Sequence, residues 1–223
     1  NDALQIAKMV NFMSALASAF TILFLFWTIT AIAKKMVLKY NEDISDGHVM
    51  AILGSGLVGA LAYTFSDSFW FSAVEAEVYA MSSFLMALLF WLGLRWETEM
   101  DNPGGHKWLL LISFVVGLSF GVHILSLLVI PAIVFMYINK KTEHFNWKSF
   151  ILANVISVGI LALVFKFLFP FSLVYFSALE LFFVNTVGLP FNSGSIIASI
   201  ILAGLFFFGL KQTRKKNKPI ANL

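Results

Sequence analysis

Asp67, Glu75 and Glu77 lie within eleven residues of one another, beside Trp70 and Tyr79, in the run FSDSFWFSAVEAEVY at residues 65–79. Carboxylates so grouped serve as general bases or as stations for ions and protons. Their setting makes the grouping informative, because the surrounding chain is mostly fit for lipid. An acid kept at membrane depth costs several kcal/mol or more, so three of them in one short segment predict a site open to water or substrate.

That the setting is a membrane follows from composition. Sixty per cent of the 223 residues are apolar, 25 are Phe, and the mean hydropathy is +0.88, well above what a soluble domain can solvate. The chain has no cysteine, which excludes a disulfide frame, a thiolate nucleophile and a thiolate metal site. No metal site is expected from the other ligand types either, since His123 has no partner at ligand spacing and the acids follow no ligand pattern. The net charge of +3 does not point to nucleic acid once the positions of the charges are considered.

Apolar runs near 10–33, 49–65, 78–94, 149–169 and 194–210 each approach the ~20 residues of a spanning helix. Between Trp108 and Ile138, 31 residues carry no Lys, Arg, Asp or Glu and are interrupted by Gly117, Gly121 and Pro131, with His123 near the middle. This stretch is too long for one upright span and short for two. The flanking charges decide: Lys34, Lys35 and Lys39, Arg95 and Lys107, Lys140, Lys141 and Lys148, and a tail with Lys211, Arg214, Lys215, Lys216 and Lys218 hold thirteen of the fifteen basic residues. One orientation puts all thirteen in the cytoplasm, provided that 108–138 is a hairpin of two short helices turning near His123. The expected fold is thus an all-α polytopic transmembrane bundle of about seven segments, with one transmembrane domain over 1–223. Its N-terminus is expected in the periplasm and its C-terminus in the cytoplasm. Because Asn1 is no initiator and no signal precedes the first span, the sequence reads as an internal fragment.

This topology sorts the remaining polar residues. Glu42, Asp43, Asp46, Glu97, Glu99, Asp101 and Glu143, with His48, His106 and His144, fall in cytoplasmic loops as solvated charge and receive no chemistry. Asp2, Asp67, Glu75, Glu77, Glu180 and His123 come to the external side. Residues 170–193, bounded by Pro170 and Pro190, read either as an amphipathic helix at the interface or as a loop packed on the bundle, and NDALQIAKMVNF as an interfacial entry to the first span. Gly54, Gly56 and Gly59, and Gly117 with Gly121, are expected at close helix contacts.

Each candidate also has a structural reading. Asp67 stands where it would cap a following helix, Glu75 or Glu77 would pair with backbone or Lys166, His123 would bond a carbonyl at the hairpin turn, and Trp70 and Tyr79 would be interface anchors. If 67–81 is one helix, Trp70 and Glu77 share a face, Glu75 and Tyr79 share another, and the two glutamates point apart.

The runs SALASAFTILFLFWTI at 14–29, TFSDSFWFSAVEAEVYAMSSFLMALLFW at 64–91 and GLSFGVHILSLLVIPA at 117–132 resemble a family of bacterial membrane proteins of unassigned function, common in Bacteroidetes. That family is related to the eukaryotic transmembrane protein O-mannosyltransferases. The resemblance implies a GT-C type glycosyltransferase of the bacterial inner membrane, transferring a sugar from a polyprenyl-phosphate donor to an extracytoplasmic acceptor, a protein among the candidates, with no cofactor. It also implies that the principal catalytic acid lies upstream of this sequence, so that the fragment alone is inactive and Asp67 and Glu77 support catalysis. On this view Asp67 and Glu77 accept from sugar hydroxyls or deprotonate the acceptor, His123 donates to phosphate, and Trp70 and Tyr79 stack on a sugar, with Glu75 also in the substrate pocket. Two other classes remain open: an ion or solute transporter using Glu75, Glu77, Lys166 and His123, and a non-catalytic membrane subunit that binds lipid or a partner.

Overall fold

A computed structural model describes residues 2–75, 77–105 and 107–215, with the side chains of Leu210 and of 213–215 excepted. Asn1, Ala76, His106 and the basic residues Lys216 and Lys218 lie outside the described residues, as do the side chains of Arg214 and Lys215. Among the described residues the chain is all helical, without a strand. It forms two compact units, Asn1–Asn154 and Val155–Leu223.

The first unit holds α1 (Ala3–Tyr40), α2 (Asp46–Thr64), α3 (Asp67–Val74), α4 (Val78–Glu99), α5 (Lys107–Phe120), a single 3₁₀ turn (Ile124–Leu128) and α6 (Val129–Lys141), followed by the start of α7 (Trp147–Leu163). No Gly or Pro interrupts residues 3–40, and the Asp2 carboxylate caps the first turn by accepting from Leu4 N at 3.1 Å, so the predicted interfacial entry and first span are one continuous helix. Ser45 and His48 form a reciprocal capping box that starts α2.

α4 is the hub. Its residues Leu85, Leu89, Leu92 and Trp96 recur every three to four positions and pack with Ile112 and Val115 of α5 and Val129 and Ile133 of α6. The neighbouring face meets α1 through aromatic pairs, Phe20 with Phe84 at 5.8 Å, Phe24 with Trp91 at 5.4 Å and Trp27 with Trp91 at 5.5 Å between ring centroids. On α1 the buried positions Ser14, Ala17, Ser18, Thr21 and Thr28 are small, which lets backbones approach where lipid supplies no hydrophobic drive between helices. Of the glycines expected at contacts, Gly56 and Gly59 do meet α1, at Phe26 and Ile29, whereas an added Cβ at Gly54 or Gly117 would touch nothing within 4 Å. Contact depends on which face the neighbouring helix occupies, and spacing alone does not specify that.

The predicted hairpin is present. α5 and α6 are separated at Gly121–His123, and both pack on α4 in opposite directions: Trp108 and Lys141 meet the Glu99–Asp101 end of α4, while His123 meets Tyr79 at its start. One end of this unit therefore carries Lys35, Arg95, Lys107, Lys140 and Lys141 with their ion pairs. Glu99 accepts from Trp108 Nε1 at 2.8 Å and from Arg95 at 2.9 Å with Lys107 at 3.7 Å, Lys35 pairs with Glu97, and Lys140 and Lys141 pair with Asp101. The hydrogen bond from Lys141 holds the Asp101 carboxyl below its ordinary pKa; the stabilisation this represents is present above the unfolded pKa and fades as pH falls through the folded one.

The second unit begins within α7. A π turn (Val164–Leu168) leads into α8 (Phe169–Leu181), a second π turn (Phe182–Thr186) follows, and after a loop α9 (Ser193–Lys215) returns along α8. Residues 170–193 are thus not a loop in the main: the helix that starts at Trp147 continues to Thr186. Pro170 does not stop it, because the π turn just before lets Phe169 N–H reach back to Val164 O and absorbs the bond that proline cannot make. α8 and α9 are joined by Tyr175 Oη donating to Ala198 O at 3.2 Å and by Glu180, which accepts from Asn192 N, Ser195 N and Ser195 Oγ at 2.6, 2.8 and 3.1 Å.

Among the described residues five helices are long and apolar enough to cross a membrane, Ala3–Tyr40, Asp46–Thr64, Val78–Glu99, Ile124–Lys141 and Trp147–Thr186, with shorter apolar helices at Lys107–Phe120 and Ser193–Gly209. These match the expected seven segments. No buried side chain among the described residues carries a formal charge.

Candidate functional site

The acid-rich segment is broken into pieces. α2 ends at Thr64, Ser66 is the N-cap of α3 with extended backbone, and its hydroxyl donates back to Tyr63 O at 2.8 Å. Asp67 therefore does not cap the helix. It is the first helical residue, exposed, where the partial positive charge of the helix start favours a carboxylate. α3 stops at Val74; Glu75 (φ −93°, ψ 146°) and Glu77 (φ −116°, ψ 160°) are extended, and α4 begins at Val78. The single helix over 67–81 is not realised, and the face arguments that rest on it lapse. With extended backbone at both, neither glutamate is committed to a helix face, and both side chains are exposed at the end of the unit.

Aromatic contacts hold α3 in place. Phe69 is buried, its ring 4.5 Å from that of Tyr63, and Trp70 stacks with Phe65 at 6.4 Å and 14°, leaving the indole half exposed. Tyr63 and Phe65 have no role in the sequence reading. Their signal, aromatic residues bracketing the S-D step, becomes legible only when the chain is known to turn there.

His123 sits in the turn that closes the hairpin. Its backbone N–H donates to Ser119 O at 2.9 Å and its side-chain Nδ1 accepts from Leu125 N at 3.1 Å, capping the 3₁₀ turn. The expected bond to a carbonyl is replaced by this one, and the difference matters: an accepting Nδ1 puts the proton of the neutral ring on Nε2, leaving an N–H donor. Tyr79 packs against the imidazole at 5.7 Å between centroids. The structure thus brings His123, Tyr79 and, two residues before it, Glu77 to one end of the unit, opposite the basic end. Asp67 and Trp70 lie at that same end on α3, mainly against α1, and no hydrogen bond or ring contact among the described residues joins them to Tyr79 or His123.

The side chains of Asp67, Glu75 and Glu77 make no ion pair or hydrogen bond among the described residues, so the acids are not spent on structure there. Such an arrangement offers free carboxylates as acceptors or bases, one N–H donor fixed by its own cap, and two half-exposed aromatic rings. Among the described residues no three His, Asp or Glu side chains converge as metal ligands would.

The cap gives a test of what His123 does structurally. His123→Phe should keep the contact with Tyr79 but lose the bond to Leu125, costing about 1 kcal/mol in detergent unfolding, while His123→Asn, whose side chain can cap, should cost less. Equal stability of the two would remove the capping role.

Residues 1–146 match the family model described as the Protein O-mannosyl-transferase TMEM260 N-terminal domain. A relative named Protein O-mannosyl-transferase tmem260, from Dictyostelium discoideum, is 25% identical over 175 residues, which cover 73% of this chain and 19% of that protein. The chain therefore spans about a fifth of the length of the curated relative it matches. No solved structure matches.

Proposed function

The chain belongs to the Protein O-mannosyl-transferase TMEM260 N-terminal domain family, and from that membership we propose that it forms part of the membrane domain of a GT-C type glycosyltransferase. The reaction is transfer of a sugar, mannose by analogy with the relative's name, from a polyprenyl-phosphate donor to a hydroxyl of an extracytoplasmic acceptor, a protein in the simplest case. The bond from the anomeric carbon to the phosphate oxygen breaks, the phosphate leaves with its electron pair, and the acceptor oxygen bonds that carbon as its proton passes to a base.

The observation that supports this reading is the packing of His123 on Tyr79, two residues after Glu77, at the end of the unit opposite Lys35, Lys107, Lys140 and Lys141. By the distribution of Lys and Arg that end faces the periplasm of a bacterial inner membrane. Glu77 and Asp67 accept from sugar or acceptor hydroxyls and support a principal base elsewhere in the protein. The Nε2–H of His123 donates to the departing phosphate, Trp70 and Tyr79 pack on a sugar face, and Glu75 lines the same surface. No cofactor is required for these steps.

The test uses the full-length protein, because the chain is a fraction of its relative's length. Glu77→Gln and Asp67→Asn should each reduce sugar transfer from a polyprenyl-phosphate donor at least tenfold while insertion in the membrane is unchanged. Wild-type transfer by both variants would remove these residues from the site.

A further inference from the structure

The first unit carries a long trench lined by none of the acids of residues 65–79. A hollow of about 670 Å³ lies between α2 and α6 over a floor made by α1 and α4, with Thr28, Ile29, Tyr63, Met86 and Phe90 on its walls. A second hollow, of about 420 Å³, continues toward the basic end between α4 and α6, with Glu97, Phe135 and Asn139 on its walls. The two share Phe90 and Ala132, so they adjoin at those side chains. From Ser83 to Glu97 along α4 the trench runs ~21 Å at ~1.5 Å per residue. That is more than the ~15 Å of one hydrocarbon leaflet.

The lining has the polarity of an amphiphile. Along most of its length it is aliphatic and aromatic, with uncharged hydroxyls only, and Thr28 Oγ1 is buried there without a hydrogen-bond partner. Formal charge enters at one end alone, where Glu97 lines the mouth with its partner Lys35 beside it and Asn139 adds an amide. A purely anionic headgroup would meet the Glu97 carboxylate as its nearest charge. A headgroup carrying both signs satisfies the pair, its ammonium on Glu97 and its phosphate on Lys35, replacing one ion pair by two.

We propose that this trench holds one resident ethanolamine phospholipid, an acyl chain lying along α4 and the headgroup at Lys35, Glu97 and Asn139. This lipid is separate from any sugar donor, because its headgroup sits at the end opposite Glu77 and His123. The site stands or falls independently of the transferase reading.

The full-length protein, purified in detergent and stripped by repeated detergent exchange, is incubated with vesicles of phosphatidylethanolamine or of phosphatidylglycerol, and bound lipid is counted by native mass spectrometry. One ethanolamine lipid per chain is expected, at least tenfold preferred over the glycerol lipid. Ala132→Phe, which puts a ring where the hollows meet, should abolish it, and Glu97→Gln should erase the headgroup preference. No retained lipid, equal retention of both lipids by the wild type, or full retention by a folded Ala132→Phe overturns the proposal. So does a lipid-free dimer, in which a second copy covers the trench. If Ala132→Phe does not fold, an unchanged preference in Glu97→Gln overturns it alone.

Discussion

Replacing Gly194 with valine should detach α9 from α8. A Cβ at this position would stand 2.5 Å from Leu179 O and 2.6 Å from Glu180 N, and both are helix backbone that no rotamer change can move aside. The two helices must separate, and with them goes the tie made by Glu180, which accepts from Asn192 N, Ser195 N and Ser195 Oγ. Hydrogen bonds to a charged group are stronger than neutral ones, and the backbone clash adds to their loss, so a large loss of stability is expected. Glu180→Gln, which keeps an accepting oxygen and relieves the unpaired charge, should lose less. Chemical unfolding in detergent micelles measures both. A Gly194→Val variant as stable as the wild type would mean that the close approach of α8 and α9 does not hold in the folded chain.

Leu89→Ala should be the most damaging truncation in the first unit. Leu89 is fully buried at the centre of α4, in the cluster that joins α4 to α5 and α6. In a bilayer the apolar side chain gains little from leaving lipid, so what holds these helices is dispersion between well-packed surfaces and small residues. A cavity forfeits those contacts outright, and large-to-small changes at fully buried positions cost ~2–5 kcal/mol. We expect about 3 kcal/mol for Leu89→Ala and close to none for Leu110→Ala on the exposed face of α5. The comparison is made by denaturant titration of both variants in the same micelles; similar losses would show that the α4 core is not where this unit is held.

Much of the architecture was legible because it depends on one segment at a time. The hairpin from Trp108 to Ile138 follows from length, from its flanking charges and from the local break at Gly121–His123, and α5 and α6 divide there. The site was less legible. The acids were readable as an exposed group because charge in an apolar chain is conspicuous, yet the break between Glu75 and Glu77 was not, since AVEAEVYA carries no Gly or Pro. Pro170 misled in the opposite direction: it is a helix boundary by the usual rule, and a π turn carries the helix past it.

The sequence alone determined that this is a membrane chain of about seven helical segments and which segment holds the clustered acids, because the free energy of moving a residue between water and lipid is a property of that residue and its neighbours in the chain. Only the tertiary structure decided that His123 lies against Tyr79, that Gly194 meets helix backbone while Gly54 meets nothing, and that Glu180 ties α9 to α8. Those facts depend on which distant side chain arrives at a given point, and packing between helices sets that, not the preference of any one of them for the bilayer.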